Sequence, residues 1–308
     1  MNDPAAYRAE KLRAGKLDVD AGLVRRLIAA QFPNWAGLPV TPVARDGWDN
    51  WTFHLGEAMK VRLPSHESYV LGAIKEITWL PRLAQHLPVA IPELLGAGEP
   101  SEEYPFRWSV WNWLAGDMAN RDRLPDLPRF AGELAGFLAA LQRADCAGGP
   151  PAGAQSFFRG GDLAVYDDET RQCIAELGER VDGDSALAVW EAALATRWDG
   201  TPVWVHGDLA VGNLLVAEGR LAAVIDFGQL SVGDPACDLV IAWVFLDTPA
   251  RAAFRNALPL DEGTWARARG WALWKALLVW ARNLPRNPAE YPPEEVVATV
   301  IAEHRQRR

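Results

Sequence analysis

One segment in the second half of the chain constrains its fold more narrowly than any other part of the sequence. Two short apolar runs, 213–217 and 221–226, are separated by a Glu-Gly turn signal, and this pattern predicts a β-hairpin. Asp208 and Asn213 lie in the loop before the hairpin, and Asp226 closes its second strand. Because adjacent strands bring their ends together, these three polar side chains are predicted to converge on one point.

The three side chains are of the kinds that phosphoryl transfer requires. A carboxylate such as Asp208 orients an attacking hydroxyl and accepts its proton. The amide oxygen of Asn213 and the carboxylate of Asp226 are hard oxygen ligands, which suit Mg²⁺ bound to a triphosphate. Ordinary turn and capping residues are the alternative interpretation of the same acids.

The motifs of this segment resemble those of the aminoglycoside phosphotransferase family, which has the protein-kinase fold. They are His206-Gly207-Asp208-x-x-x-x-Asn213, Asp226-Phe227-Gly228 and Gly233-Asp234-Pro235-x-x-Asp238-Leu239. The wider relatives are choline, homoserine and fructosamine kinases. No Ala-Pro-Glu tripeptide, which closes the activation segment of protein kinases, follows Gly228, and this favours a small-molecule kinase. The resemblance implies that Asp208 is catalytic, that Asn213 and Asp226 hold Mg²⁺, and that Asp238 supports the catalytic loop.

The resemblance implies an α+β, bilobal protein-kinase-like fold, with a small antiparallel-sheet N-lobe and a larger, mostly helical C-lobe. The residues agree in outline. A helical pattern covers 20–31, strand-like runs cover 40–45, 51–55, 59–63 and 94–98, and helical patterns dominate after residue 128. The expected organisation is a nucleotide-binding lobe over 1–113, a hinge over 111–115 and a helical lobe over 114–308. The helical lobe would hold the catalytic loop, the metal site and the acceptor pocket.

A cationic side chain on the third strand is expected to contact the nucleotide phosphates. In kinases this side chain is a lysine that binds the α- and β-phosphates and pairs with a glutamate on the next helix. By register with the family, Arg62 takes the lysine position and Glu76 the glutamate position. Lys60, two residues away on the same strand face, is the alternative. Two solvent-facing charges are the simpler interpretation of Lys60 and Arg62.

Two further nucleotide contacts follow from the resemblance. The turn 46–52 falls where kinases have the loop over the phosphates, and Asn50 and Thr52 could donate hydrogen bonds there, although an ordinary hairpin turn is the alternative. The hinge would bind the purine through its backbone at Asn112, Trp113 and Leu114. Backbone contacts leave no side-chain signature, so ATP and GTP remain alternatives.

The acceptor pocket leaves a weaker signal. Trp243 and Asp247 lie where the family forms part of this pocket, and the further candidate acids are Asp162, Asp167 and Asp168. The tryptophans between residues 264 and 283 instead predict a largely buried helix.

Composition excludes several classes of partner. The formal net charge is −9 and the sequence pI is about 5.2, so binding to nucleic acid or to an anionic membrane is not expected. Three widely spaced cysteines indicate neither a zinc ribbon nor a disulfide framework. The N-terminus lacks the apolar core of a signal peptide, and the longest apolar run is too short to cross a bilayer. A cytoplasmic protein is expected.

The sequence therefore predicts a phosphotransferase that moves the γ-phosphoryl group of ATP or GTP, with Mg²⁺, to a hydroxyl of a small, aminoglycoside-like molecule. A metabolite kinase of the choline, homoserine, fructosamine or macrolide type is one alternative. A non-catalytic nucleotide-binding regulatory protein is another, although loss of at least one of the three polar residues would be expected there. The sequence does not indicate the phosphorylated position, the oligomeric state or a role in antibiotic resistance.

Overall fold

A computed structural model describes residues 4–44 and 46–307 and divides the chain into two compact units. The first comprises Met1–Gln85 and Ile91–Leu114, and the second comprises His86–Ala90 and Ala115–Arg308. The short segment 86–90 packs with the second unit, where Ala90 forms a bridge with Ala223. The sequence patterns did not indicate that residues 86–90, which lie between two parts of the first unit, belong to the second.

The first unit is built on a five-stranded antiparallel sheet. Its strands are β1 Val40–Pro42, β2 Asn50–Leu55, β3 Met59–Pro64, β4 Leu94–Gly98 and β5 Trp108–Asn112, and its helices are α1 Pro4–Arg13, α2 Ala21–Gln31 and α3 Val70–Leu83. The strand order is β1-β2-β3-β5-β4. These elements confirm the expected small antiparallel sheet. Arg45, at the end of the strand expected over 40–45, lies outside the described residues.

The two faces of this sheet have different partners because side chains alternate along a strand. Phe53 of β2 and Val61 of β3 are buried in one apolar core together with Leu27 of α2. Thr52 and Arg62, which lie opposite each other in register, belong to the other face. That face therefore carries the polar residues that the sequence analysis singled out.

The second unit is mostly helical. Its strands are β6 Asp117–Met118, β7 Val203–Val205, β8 Leu214–Ala217, β9 Arg220–Val224 and β10 Ser231–Gly233, and its helices are α4 Leu127–Arg143, α5 Asp167–Leu177, α6 Gly183–Leu194, α7 Ile241–Val244, α8 Thr248–Ala257, α9 Glu262–Ala281 and α10 Pro293–Gln306. The strands form two small sheets, β10-β7 and β6-β8-β9. The predicted hairpin is the antiparallel pair β8–β9.

Helix α9 lies at the centre of the second unit. It packs against α5, α6 and α10, and Trp265, Trp271 and Trp274 are buried along it. A helix that is apolar on several faces is stable only when it is enclosed by protein, so the predicted buried helix is confirmed. Among the described residues, no helix has both the length and the apolarity that crossing a bilayer requires.

Candidate functional site

Asp208 and Asn213 lie in the loop that connects β7 to β8. The loop ends in a 3₁₀ turn, Val211–Asn213, directly before β8. The Asn213 side-chain nitrogen donates to Asp208 O at 2.9 Å and to Asp208 Oδ2 at 3.2 Å. Asp208 is exposed, while Asn213 is half-buried. The amide thus fixes the carboxylate of Asp208 from one side and leaves it open to solvent.

Asp226 lies at the same end of the β8–β9 hairpin as Asn213. Leu214 faces Val224 in the register, and Ile225 N donates to Asn213 O at 2.9 Å just beyond this pair. Asp226 follows with a φ of 65°, in the left-handed region. Such a conformation is uncommon for a residue other than glycine, and it persists only where the surroundings hold it. The hairpin therefore brings Asn213 and Asp226 to one place.

His206 joins the two segments that carry these residues. Its ring is completely buried, and its Nδ1 accepts from Asp208 N at 3.2 Å. Its Nε2 lies 3.1 Å from Ile225 O, to which it donates as the tautomer that leaves Nδ1 free to accept. The ring also lies 4.5 Å from that of Phe227. With both nitrogens occupied by backbone groups, His206 has a structural role.

Asp238 fixes the backbone just before Asp208. Its two carboxylate oxygens accept from His206 N and Gly207 N, each at 2.8 Å. Asp238 is almost completely buried, and this burial raises its pKa, although the two backbone donors and His206 oppose the shift. The resemblance implied that Asp238 supports this loop, and these two hydrogen bonds are the contacts that it makes with the loop backbone.

Asp234 has a different structural partner. It caps the 3₁₀ helix Pro235–Val240 by accepting from Ala236 N at 3.1 Å, and its Oδ2 accepts from Arg267 Nε at 2.6 Å. Both side chains are buried. A buried ion pair of this kind is costly to break because either partner alone would be an uncompensated charge. Asp234 therefore ties the Gly-Asp-Pro element to α9.

Gly207→Ala is expected to lower the free energy of unfolding by about 1–3 kcal/mol. Gly207 has a φ of 83°, and a Cβ there would lie 2.6 Å from Gln229 O, which is backbone and cannot turn aside. Denaturant unfolding of the purified variant measures the effect. Gly212→Ala is the matched control in the same loop, because its Cβ would meet only Asn287 Nδ2, at 3.6 Å. Equal unfolding free energies for the two variants would contradict the steric requirement at residue 207.

In the first unit, Arg62 and Glu76 form a buried ion pair. One guanidinium nitrogen, NH1, lies 2.8 Å from Oε1 and 2.7 Å from Oε2 of Glu76. The side chain of Arg62 is 13% exposed and that of Glu76 is 4% exposed. The neighbouring Lys75 is also buried, and burial lowers its pKa to about 8. The pair joins β3 to α3 in the register that the sequence analysis predicted.

Asn50 is the first residue of β2, directly after the turn, and Thr52 is the third. Asn50 is buried and its carbonyl oxygen accepts from the Lys11 ammonium at 2.8 Å. Thr52 is half-buried on the same sheet face as Arg62, its partner in register. The turn therefore leads into a strand whose Thr52 lies on the same sheet face as the Arg62–Glu76 ion pair.

The backbone of the segment predicted as the hinge is partly hydrogen-bonded within the first unit. Trp113 N donates to Ala58 O at 2.7 Å, and Asn112 N donates to Glu93 O at 3.1 Å. The Leu114 N–H makes no main-chain hydrogen bond within the described residues. The same holds for the Ala115 N–H. The Trp113 side chain is exposed, and its ring centre lies 4.2 Å from that of His54, with the two ring planes tilted by 43°.

A cavity of about 200 Å³ lies in the second unit. It is lined by Trp243, Leu246, Asp247, Thr248, Arg251, Tyr291, Glu295, Val296 and Thr299. Trp243 and Asp247 were candidates from the sequence, whereas Asp162, Asp167 and Asp168 do not line it. Asp162 instead caps a 3₁₀ turn, and Asp167 accepts from Arg171 and Trp190. Its charged lining consists of two carboxylates, Asp247 and Glu295, and one guanidinium, Arg251.

Sequence reasoning missed the segment that contributes Tyr291 to this cavity. Asn287, a few residues earlier, lies against the loop between β7 and β8, since a Cβ on Gly212 would be 3.6 Å from its Nδ2. The segment has no helical or strand periodicity. Its only local signal is a pair of Asn-Pro and Tyr-Pro-Pro turn sequences, which predict irregular structure but not its neighbours.

The donor set of the hairpin end fits a magnesium ion. Among the described residues, no group of three or more His, Cys, Asp or Glu side chains is arranged to hold a metal. Asn213 directs its amide nitrogen to Asp208, and its Oδ1 accepts no hydrogen bond from the described part of the chain. One amide oxygen and one carboxylate suit Mg²⁺, which takes its remaining ligands from water and substrate phosphates.

Comparison with solved structures supports the fold. The chain is similar to wild-type aminoglycoside 2'-phosphotransferase-IIIa in its complex with GDP, with a TM-score of 0.64 and 17% identity over 93% of this chain and 100% of that one. It is also similar to the macrolide 2'-phosphotransferase MphH from Brachybacterium faecium, with a TM-score of 0.57 and 24% identity over 92% of this chain and 98% of that one. The expected protein-kinase-like α+β fold is confirmed.

Comparison with sequences shows the family. An aminoglycoside 3'-phosphotransferase from Escherichia coli is 38% identical over 69 residues, which are 21% of this chain. The match spans only 25% of the length of that curated relative. A family model described as the phosphotransferase enzyme family matches residues 39–271, which is well over half of the chain. The chain therefore belongs to the phosphotransferase enzyme family.

Proposed function

We propose that this protein transfers the γ-phosphoryl group of ATP or GTP to a hydroxyl of a small, aminoglycoside-like acceptor. The observation that carries the proposal is the contact between Asn213 and Asp208, with Asp226 at the same hairpin end. Membership of the phosphotransferase family supports it. A cytoplasmic location, where nucleoside triphosphates are available, is part of the proposal.

Asp208 is the proposed catalytic residue. Its exposed carboxylate would accept a hydrogen bond from the acceptor hydroxyl, orient the oxygen toward the γ-phosphorus and take the proton as the new P–O bond forms. The Asn213 amide, which donates to Asp208 Oδ2, keeps one carboxylate oxygen oriented while the other remains for the substrate. Since phosphoryl transfer depends mainly on positioning and charge, no stronger base is required.

Asn213 and Asp226 are the proposed magnesium ligands. When bound, the ion offsets the negative charge that develops on the transferred phosphoryl group and its leaving oxygen. The left-handed backbone of Asp226 and the fixed amide of Asn213 hold the two oxygen ligands before the nucleotide arrives. Preorganised ligands of this kind need no rearrangement at the moment of reaction.

The first unit supplies the proposed nucleotide contacts. Arg62 would bind the α- and β-phosphates, and Glu76 would hold its guanidinium in place. Asn50 and Thr52 would donate to the phosphates from the start of β2, and the backbone of Asn112, Trp113 and Leu114 would bind the purine.

The cavity beside α7, α8 and α10 is the proposed acceptor pocket. Its carboxylates, Asp247 and Glu295, would attract an acceptor that carries ammonium groups. Its volume is below the range of about 300–1,000 Å³ that is typical of pockets for drug-sized ligands. The cavity would therefore enclose one ring of a larger acceptor. The Asn287–Tyr291 segment, which touches both cavity and catalytic loop, supports this assignment.

Arg62→Met is expected to raise the KM for the nucleotide at least about tenfold, because a bidentate charged contact to phosphate is lost. It also removes the Arg62–Glu76 ion pair, so the free energy of unfolding should fall by about 1–3 kcal/mol. Steady-state kinetics with varied nucleotide, below the unfolding temperature, measure the first effect. Lys60→Met is the matched control on the same strand face. A larger rise in KM for Lys60→Met than for Arg62→Met would reverse the two assignments.

The decisive experiment is a coupled assay for nucleoside diphosphate release with ATP and with GTP. The acceptor panel contains aminoglycosides, a macrolide, choline, homoserine and a fructosamine. We expect acceptor-dependent turnover with an aminoglycoside. Turnover only with another acceptor would keep phosphotransfer and change the substrate class. Nucleotide binding without turnover on any acceptor would instead support the regulatory alternative.

A further inference from the structure

Two buried lysines near the N-terminus contact the turn that leads into β2. Lys11, on α1, is completely buried, and Lys16, just after α1, is 7% exposed. Both precede residue 39, where the match to the family model begins. An ammonium group is expensive to remove from water unless hydrogen bonds and an opposite charge compensate it. The burial of both lysines therefore implies that specific protein groups compensate their charges.

Lys11 makes its hydrogen bonds to the two ends of the turn. Its ammonium lies 2.6 Å from Asp46 Oδ2 and 2.8 Å from Asn50 O. The same group lies 4.0 Å from the centre of the Trp51 ring, in cation–π geometry. Burial lowers the pKa of Lys11, and Asp46 opposes this shift. One side chain thus ties the first and last residues of the turn 46–50 together.

Lys16 and Ser65 hold the middle of the same turn. The Lys16 ammonium donates to Trp48 O and lies 3.6 Å from the centre of the Trp48 ring. Ser65, which is completely buried, donates its hydroxyl to Asp49 O at 2.8 Å, and the same oxygen lies 3.2 Å from Trp48 O. With the bond from Lys11 to Asn50 O, the carbonyl oxygens of three consecutive residues, 48 to 50, each accept a hydrogen bond from a side chain.

These contacts explain how a turn with a single glycine keeps one conformation. Glycine-rich phosphate loops depend on the backbone freedom of several glycines, whereas the turn 46–50 contains only Gly47. Its carbonyl oxygens are instead fixed from the protein side by charged and hydroxyl donors. With the carbonyl groups fixed, the turn needs no further ordering when a ligand binds, which lowers the entropic cost of binding.

We propose that Lys11 and Lys16 are positioning residues for nucleotide binding: from the protein side, they fix the turn 46–50 in the conformation that accepts the phosphate chain. This inference rests on the proposed function, because the phosphates are those of the donor nucleotide. It assigns a role in the reaction to the segment before residue 39. Neither lysine needs to touch the nucleotide.

The test compares Lys11→Met and Lys16→Met with the wild type. Methionine keeps the length and apolar stem of lysine and removes the donor. We expect the dissociation constant of the magnesium–nucleoside triphosphate complex, measured by calorimetry, to rise about tenfold or more in each variant. The kcat at saturating nucleotide and the KM for the acceptor should change less than about threefold, because Asp208 and the acceptor pocket are untouched. Hydrogen exchange of peptides that cover 46–52 should become faster.

Arg13→Met is the matched control, since Arg13 is an exposed residue of the same helix and its loss removes the same charge. An equal loss of nucleotide affinity in Arg13→Met would show a general charge effect and overturn the proposal. Unchanged nucleotide affinity in folded Lys11→Met and Lys16→Met would also overturn it while leaving the proposed function intact. A wild type that binds neither ATP nor GTP would instead refute the proposed function, and this inference with it.

Discussion

Asp208→Asn is expected to reduce kcat by about 10²–10⁴-fold, the contribution of a positioned general base. Asparagine keeps the shape of the side chain but cannot take the proton of the acceptor hydroxyl. Nucleotide affinity should change little, because the proposed phosphate contacts belong to other residues. Single-turnover phosphoryl transfer and calorimetric nucleotide binding, measured on the same preparation, separate the two effects.

Asp184→Asn is the control for this substitution, since Asp184 is an exposed acid of the same unit, in the first turn of α6. It should retain the wild-type rate. The assignment of Asp208 fails if Asp208→Asn turns over at a rate near that of Asp184→Asn. It also fails if nucleotide affinity and turnover fall by equal factors, because Asp208 would then act in binding.

Asp226→Asn is expected to remove the dependence of nucleotide binding on Mg²⁺. The carboxylate is the only charged ligand of the proposed site, so its replacement by an amide should weaken ion binding by at least about tenfold. Nucleotide titrations with and without Mg²⁺ should give clearly different affinities for the wild type and similar ones for the variant. Turnover should fall in parallel, because charge on the transferred group would be less well offset.

Glu218→Gln is the matched control for Asp226→Asn. Glu218 is an exposed acid at the opposite end of the same hairpin and also has a left-handed backbone, with a φ of 52°. It should keep the magnesium dependence of the wild type. Retention of that dependence in Asp226→Asn would remove Asp226 from the metal site.

The parts of the site that follow from local spacing could be predicted from the sequence. Asn213 and Asp226 are joined by a hairpin with a clear turn signal, and antiparallel pairing determines which ends meet. The resemblance to the family paired Arg62 with Glu76, and the two side chains form an ion pair between β3 and the helix that follows it in sequence. In both cases only short connections intervene.

Contacts between distant segments could not be predicted in this way. Lys11 meets Asn50 across 39 positions of sequence, and α1 has no apolar periodicity that would indicate a buried face. The cavity likewise draws on α7, α8, α10 and an irregular segment before α10, each with its own local pattern. Tertiary packing alone determines such neighbours, and a single sequence carries no direct signal of it.

The glycine at position 207 also bears on regulation. Protein kinases carry an arginine between the histidine and aspartate of this motif, and phosphorylation of an activation loop acts through arginine–phosphate pairs. Here Gln229 O occupies the space that a side chain at residue 207 would need. Asp238 accepts hydrogen bonds from the backbone N–H groups of residues 206 and 207. Internal hydrogen bonds thus fix the backbone around Asp208 in the folded protein. Because residue 207 is a glycine, this position offers no cation to which a phosphorylated loop could bind.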